Sequence, residues 1–180
     1  PNFEEEALKD AKLIAKGLAA SPGAASGKVY FHAEDVKEAK ERGEKAILVR
    51  QETSPEDIEG MVMSEGILTA RGGMTSHAAV VARGIGKSCV AGCSEIKVDE
   101  ENKFFKTRTL IVNEGDYISI DGGTGMVYLG EIKKVEPELT GNFVKFMDWV
   151  DKTRRLKIRT NADSPKDASQ AVKFGAEGIG

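Results

Sequence analysis

The stretch from Arg71 to Cys93 constrains this chain more than any other. It reads Arg-Gly-Gly-Met-Thr-Ser-His-Ala-Ala-Val-Val-Ala-Arg-Gly-Ile-Gly-Lys-Ser-Cys-Val-Ala-Gly-Cys. Two glycines lead into Thr75 and Ser76, then His77, then a compact run of small apolar residues. The pattern predicts a loop that delivers His77 to the first turn of a buried helix. A hydroxyl at Thr75 or Ser76 can accept one of the backbone N–H groups left unpaired there. Ala78, Val81, Ala82 and Ile85 recur at helical spacing and are expected to form the buried face, while Gly84 and Gly86 fit its termination. A helix start gathers N–H donors and the positive end of the dipole, which favours an anion. An imidazole held there can take a phosphoryl group and have its charge stabilised. By pattern alone, however, a histidine in that position is most often a capping or packing residue.

The flanks predict an α/β chain. Ala46 to Val49 and Ile67 to Thr69 are short continuous apolar runs, as in buried strands. Between them Ser54-Pro55-Glu56-Asp57 starts a helix, with Ile58, Met61 and Val62 as its apolar face. The strand ending at Thr69 runs straight into the His77 loop, the kind of place where α/β proteins put ligands. Further short strands are expected at 28–31, 88–90, 103–107, 109–112, 117–120 and 126–129. Asp121-Gly-Gly-Thr-Gly125 reads as a hairpin connection and not a phosphate loop, because a strand and no helix follows it. Residues 18–27 read as a loop of small residues, and 35–42 as a polar helix. Phe3, Ala7, Leu8, Ala11, Ile14 and Ala15 form a stripe that predicts a helix over 3–16, in a linker covering 1–17. The domain carrying His77 is expected at 18–130, then a linker and helix over 131–153. Residues 154–180 read as one β-α-β unit that opens a parallel or barrel domain.

Composition narrows the function classes. The 180 residues are 40% hydrophobic and 31% charged, with a net charge of -3 and no basic cluster, so no nucleic-acid surface is expected. No apolar run is long enough to cross a bilayer, and the acidic start is not a signal peptide. The missing initiator Met and the end at a beginning strand suggest a piece of a longer chain. Cys89 and Cys93 have no further Cys or neighbouring His to complete a metal site, so they are expected to be reduced core thiols of a cytoplasmic protein.

Gly72 to Lys87 resembles the phosphohistidine motif of the pyruvate, phosphate dikinases. Residues 18–27, Ser54 to Met61 and Leu156 to Gly180 resemble the neighbouring parts of that family. Phosphoenolpyruvate synthase and the enzyme I of the sugar phosphotransferase system share the histidine but typically have Arg where this chain has Met74. Met74, Ser76 and the two alanines after His77 favour the dikinase. The synthase, the enzyme I and a non-catalytic binding module on the same fold are the alternatives.

The resemblance implies a β/β/α swivelling domain, followed by the first piece of an incomplete (β/α)8 barrel that binds phosphoenolpyruvate or pyruvate. It implies a reversible reaction of ATP, phosphate and pyruvate to AMP, diphosphate and phosphoenolpyruvate, catalysed by a longer parent with Mg2+. His77 matches the histidine that is pyrophosphorylated, then phosphorylated at its tele nitrogen. It would shuttle between a nucleotide-binding domain and the barrel, with the helices expected at 3–16 and 142–152 as hinge arms. Gly72, Gly73, Thr75, Ser76 and Arg83 would support the loop. Arg83 either touches phosphate or binds backbone carbonyls at the C-terminal end of the helix. Thr75 matches a threonine that a regulatory kinase and phosphatase act on in some members. The family forms homodimers through the barrel and occurs in bacterial cytoplasm, plastids and glycosomes. No metal ligand, nucleic acid or membrane partner is expected of this segment.

Overall fold

The computed structural model describes residues 1–135 and two short strands further on, 159–160 and 178–179. By its internal contacts the chain divides into two units, 1–136 and 137–180.

The first unit begins with β1 (Asn2–Phe3), α1 (Glu5–Lys9), β2 (Lys12–Lys16), β3 (Leu18–Ser21) and β4 (Ala24–Tyr30). Three helices then alternate with strands: α2 (Ala33–Glu41), β5 (Ala46–Arg50), α3 (Ile58–Met63, entered through a 3-10 turn at Pro55–Asp57), β6 (Gly66–Thr69), α4 (His77–Ile85) and β7 (Ser88–Ala91). Short antiparallel strands close it: β8 (Lys97–Asp99), β9 (Phe104–Lys106), β10 (Ile111–Asn113), β11 (Tyr117–Asp121), β12 (Met126–Leu129) and β13 (Lys134–Val135).

The main sheet has eight strands in the order β2-β12-β11-β4-β5-β6-β7-β3. Its centre, β4 through β7, is parallel, with one helix in each crossover. Of these, β5 and β6 are buried on both faces over most of their length, which is why they read as short apolar runs. Alternate side chains divide between two cores. Val29, Ile47, Val49, Leu68 and Val90 join Phe105 and Val112 of the separate three-stranded sheet. Tyr30, Leu48, Ile67 and Cys89 pack with Val36, Met61, Ala78, Ala79 and Ala82 from the helices. The hairpin expected at 121–125 is present, with Asp121 paired to Met126.

Two expectations for the start of the chain fail. The helix over 3–16 is reduced to Glu5–Lys9, and Lys12–Lys16 is instead an edge strand paired with β12. The apolar stripe is real but serves two cores: Ala7, Leu8 and Ala11 pack beside Phe3 and Tyr128, whereas Ile14 and Ala15 belong to the larger cluster. Residues 1–17 are therefore part of the main body and not a separate helical arm. Nor are 18–27 a loop. They form β3 and most of β4, where small residues permit close approach: a Cβ on Gly27 would lie 2.9 Å from the Lys45 carbonyl. Gly17 is the single residue between β2 and β3, which stand at opposite margins of the sheet, so the sheet rolls until those margins meet there.

The apolar face expected for α3 is also only partly buried. Met61 is fully buried, but Ile58 and Val62 remain 41% and 48% exposed because the short helix turns a single side inward. In the second unit, β14 (Arg159–Thr160) and β15 (Gly178–Ile179) pair in parallel. The helix expected at 142–152 and the rest of the β-α-β unit expected over 154–180 lie outside the described residues.

Candidate functional site

The site is built where β5 and β6 end side by side. In a parallel pair the two C-terminal loops are neighbours, so residues 51–54 after β5 lie against 70–76 after β6. Backbone bonds tie these segments together: Ala70 N–H donates to the Arg50 carbonyl at 3.2 Å and Arg71 N–H to the Gln51 carbonyl at 3.0 Å. The Thr69 hydroxyl donates to the Arg71 carbonyl at 2.8 Å and sharpens the turn out of β6.

Gly72 has φ +102°, a conformation other residues rarely adopt, and a Cβ there would lie 2.8 Å from Ser76 Cβ. Gly73 has open space where its Cβ would be. Of the two hydroxyls that could cap α4, Ser76 does so: its Oγ accepts from Ala79 N–H at 3.4 Å and donates to the Gly73 carbonyl at 2.7 Å. Thr75 is exposed, and its hydroxyl has no hydrogen-bond partner among the described residues. Helix α4 runs through Gly84 and ends on Gly86 at φ +71°. It buries Ala78, Ala79 and Ala82, whereas Val81 is half-buried and Ile85 is 37% exposed, because the face turned to the sheet is narrower than the sequence spacing implied.

His77 is the first residue of α4 and is half-buried. Its Nδ1 lies 2.9 Å from Thr53 Oγ1, a hydrogen bond whose direction depends on the tautomer. Its Nε2 has no partner among the described residues. The ring lines a cleft of about 240 Å³ together with Glu52, Thr53, Arg71, Gly72, Ser76 and Ala78. Gly72, Ser76 and His77 are thus brought together, while Gly73 and Thr75 stand outside the cleft lining. Arg83 does not line the cleft, and its guanidinium bonds carbonyls outside the C-terminal turn of its helix. It reaches back, donating through Nη1 to the Ala20 carbonyl at 3.0 Å and through Nη2 to the Met74 carbonyl, and so fastens the loop before His77.

Thr53, Glu52 and Arg71 escaped the sequence reading. The signal for Thr53 was the parallel order itself, since the strand preceding a site strand places its own loop beside the site. The two cysteines are buried free thiols, each pushed up to about 12, mainly by burial. Among the described residues no group of three or more His, Cys, Asp or Glu side chains could hold a metal ion.

The strand–loop–helix unit that presents His77 lies within residues 42–125, which match the family model for the PEP-utilising enzyme, mobile domain. The full-chain relatives are more particular. The chain is 60% identical over 180 residues to pyruvate, phosphate dikinase of Clostridium symbiosum, covering all of this chain and 21% of that protein. It is 52% identical to that of Rhizobium meliloti (strain 1021) and 54% to the chloroplastic pyruvate, phosphate dikinase 1 of Arabidopsis thaliana, again over its full length and over 20% and 19% of theirs. The resemblance to pyruvate, phosphate dikinases, which are enzymes, therefore holds along the whole chain. The chain spans about a fifth of the length of these relatives.

Proposed function

We propose that this chain is the phosphoryl-carrying segment of a pyruvate, phosphate dikinase, and that His77 is the carrier. The parent would convert ATP, phosphate and pyruvate to AMP, diphosphate and phosphoenolpyruvate, reversibly. The observation that carries the reading is the division of labour on the His77 ring: Nδ1 is tied to Thr53, and Nε2 has no partner among the described residues. With Nδ1–H donating to the Thr53 hydroxyl, the Nε2 lone pair is free to attack phosphorus. The new P–N bond then sits beside the N-terminal donors of α4, in a cleft that Arg71 also lines. Phosphate takes the terminal group of the pyrophosphorylated histidine, and the remaining phosphoryl group passes from Nε2 to the pyruvate enolate oxygen in the barrel.

The resemblance assigns Mg2+ to the whole enzyme, and no step described for this segment runs through the ion. The nucleotide-binding and barrel domains of the parent are the partners this function requires, and the parent would be a homodimer. A cytoplasmic setting fits the two reduced thiols. A plastid setting is the counterpart suggested by the relatives named chloroplastic.

Thr75, exposed and not the cap, suits phosphorylation by a regulatory kinase. Roughly two negative charges there would repel an incoming nucleotide phosphate. Phosphopeptide mapping of the parent from ADP-rich cells is expected to find Thr75 modified, and its constant absence would count against this regulation.

The carrier role is tested by labelling the parent with β-labelled ATP or with phosphoenolpyruvate. An acid-labile, base-stable label on His77 is expected, along with loss of overall turnover in His77→Asn. Normal interconversion of nucleotide and three-carbon acid by His77→Asn would overturn the reading.

A further inference from the structure

The geometry points to Glu100 as a positioning residue for His77, acting across the molecule through the Gln51–Thr53 loop. The inference rests on the reading of His77 as phosphoryl carrier. Glu100 lies in the turn between β8 and β9, on the three-stranded sheet and far from the His77 loop in sequence. Its carboxylate nevertheless bonds the start of the loop that follows β5. One oxygen, Oε1, accepts from Gln51 N–H at 2.9 Å, and Oε2 pairs with Arg50 Nη1 at 3.3 Å.

Arg50 is the last residue of β5, and its guanidinium joins two carboxylates. Beyond Glu100 it faces Asp57 Oδ2 at 3.6 Å through Nε, and Asp57 Oδ2 accepts from Ser54 N–H at 2.9 Å. The loop 51–54 is therefore held at both ends, Gln51 by Glu100 and Ser54 by Asp57, with Arg50 linking the anchors. Thr53 lies between those anchors and makes the hydrogen bond to His77 Nδ1. Gln51 also accepts from Arg71 N–H, so the same anchor reaches the loop that leads to His77.

The arrangement is partly dry. The side chains of Arg50, Asp57 and Glu100 are 19%, 7% and 29% exposed, so water competes poorly for the guanidinium–carboxylate contacts, which hold the Glu100 carboxylate in place for the more exposed Gln51 N–H. The Glu100 carbonyl also meets His32 Nε2 at 2.9 Å, which keeps the turn seated against β5 when the carboxylate is changed. Losing the Gln51 anchor frees Thr53 to leave Nδ1. The ring would then populate the tautomer that carries its proton on Nε2, the nitrogen that must attack.

The test uses Glu100→Ala, Glu100→Gln and Thr53→Val, with two readouts. Selective 15N-histidine NMR on the chain reports the tautomer of His77 directly, since only two histidines are present. Rapid-quench labelling of the full-length parent reports its phosphorylation rate. Glu100→Ala is expected to shift the His77 nitrogens toward their Thr53→Val positions and to slow phosphorylation roughly 2- to 10-fold, the worth of about one hydrogen bond. Glu100→Gln retains an oxygen for Gln51 N–H and is expected to recover most of both. Should Glu100→Ala fail to fold, Glu100→Asp, which draws the carboxylate back by one methylene from Gln51 N–H, takes its place with the same expected and refuting outcomes.

A folded Glu100→Ala protein with unchanged nitrogen shifts and rate, beside a Thr53→Val protein that moves both, would overturn the role of Glu100 and leave the carrier reading intact. Absence of any label on His77 in the unsubstituted parent would instead remove the carrier reading.

Discussion

Gly72 and Gly73 look interchangeable in sequence, and alanine scanning should separate them sharply. At Gly72 the backbone has φ +102°, and an added Cβ would sit 2.8 Å from Ser76 Cβ and 3.0 Å from Ser76 Oγ. A side chain in such a sparsely allowed region costs about 1–3 kcal/mol. Ser76 cannot yield without surrendering its bond to Ala79 N–H, and losing a helix cap costs a further 0.5–2 kcal/mol or so. The sum for Gly72→Ala is roughly 1.5–5 kcal/mol, a large part of the margin of an ordinary domain. Gly73 has no strained φ and nothing within 4 Å of its would-be Cβ, so Gly73→Ala should change stability by less than about 0.5 kcal/mol. Urea denaturation of both variants, followed by fluorescence and read as midpoint at constant slope, measures the difference. The first variant should also phosphorylate His77 more slowly, since it disturbs the cap of the helix that carries the ring. Equal midpoints for the two variants, or a larger loss for Gly73→Ala, would refute the geometry of the loop.

Further outcomes follow from other parts of the fold. Gly84 lies inside α4 with open space around it, so Gly84→Ala should stabilise the chain by about 0.5–1 kcal/mol in the same assay. Cys89 and Cys93, buried and with their thiols held up to about 12, should not react with an aromatic disulfide reagent at pH 8 until the chain is denatured, when both should titrate. The Glu44 carboxyl is held down to about 2, first by the hydrogen bond from the Tyr30 hydroxyl at 2.6 Å and next by Arg42. Its folded value lies below the ordinary 4.5, so the stability it contributes is present above that range and is lost as pH falls toward 2. Side-chain NMR titration should place Glu44 low in the unsubstituted chain and higher in Tyr30→Phe; an unchanged value would contradict the bond.

The parallel centre was legible in the sequence because strands buried on both faces leave continuous apolar runs, as at β5 and β6. The site was legible for a related reason. A strand, two glycines, a hydroxyl cap and a helix are all local, so the sequence announces them in order. The failures were non-local. Lys12–Lys16 has a stripe that suits a helix, but its partner is β12, more than a hundred residues away, and pairing there overrides local preference. Residues 18–27 looked like a loop because their smallness suggested freedom, whereas it serves close packing, with Ser26 and Ser119 hydroxyls 2.7 Å apart in the buried strands. Thr53 was invisible for the same reason: nothing in its own neighbourhood says that His77 lies beside it.

Gly17 carries a consequence for how the folded chain meets its own copies. It receives the Gly125 carbonyl on its N–H at 2.8 Å, and any side chain there would strike the Ala91 carbonyl, also at 2.8 Å. The rolled sheet is thus drawn together at Gly17, between two short rims of five and four residues. A bulky residue at this stitch would loosen both rims together and turn a sealed surface into a template for self-association.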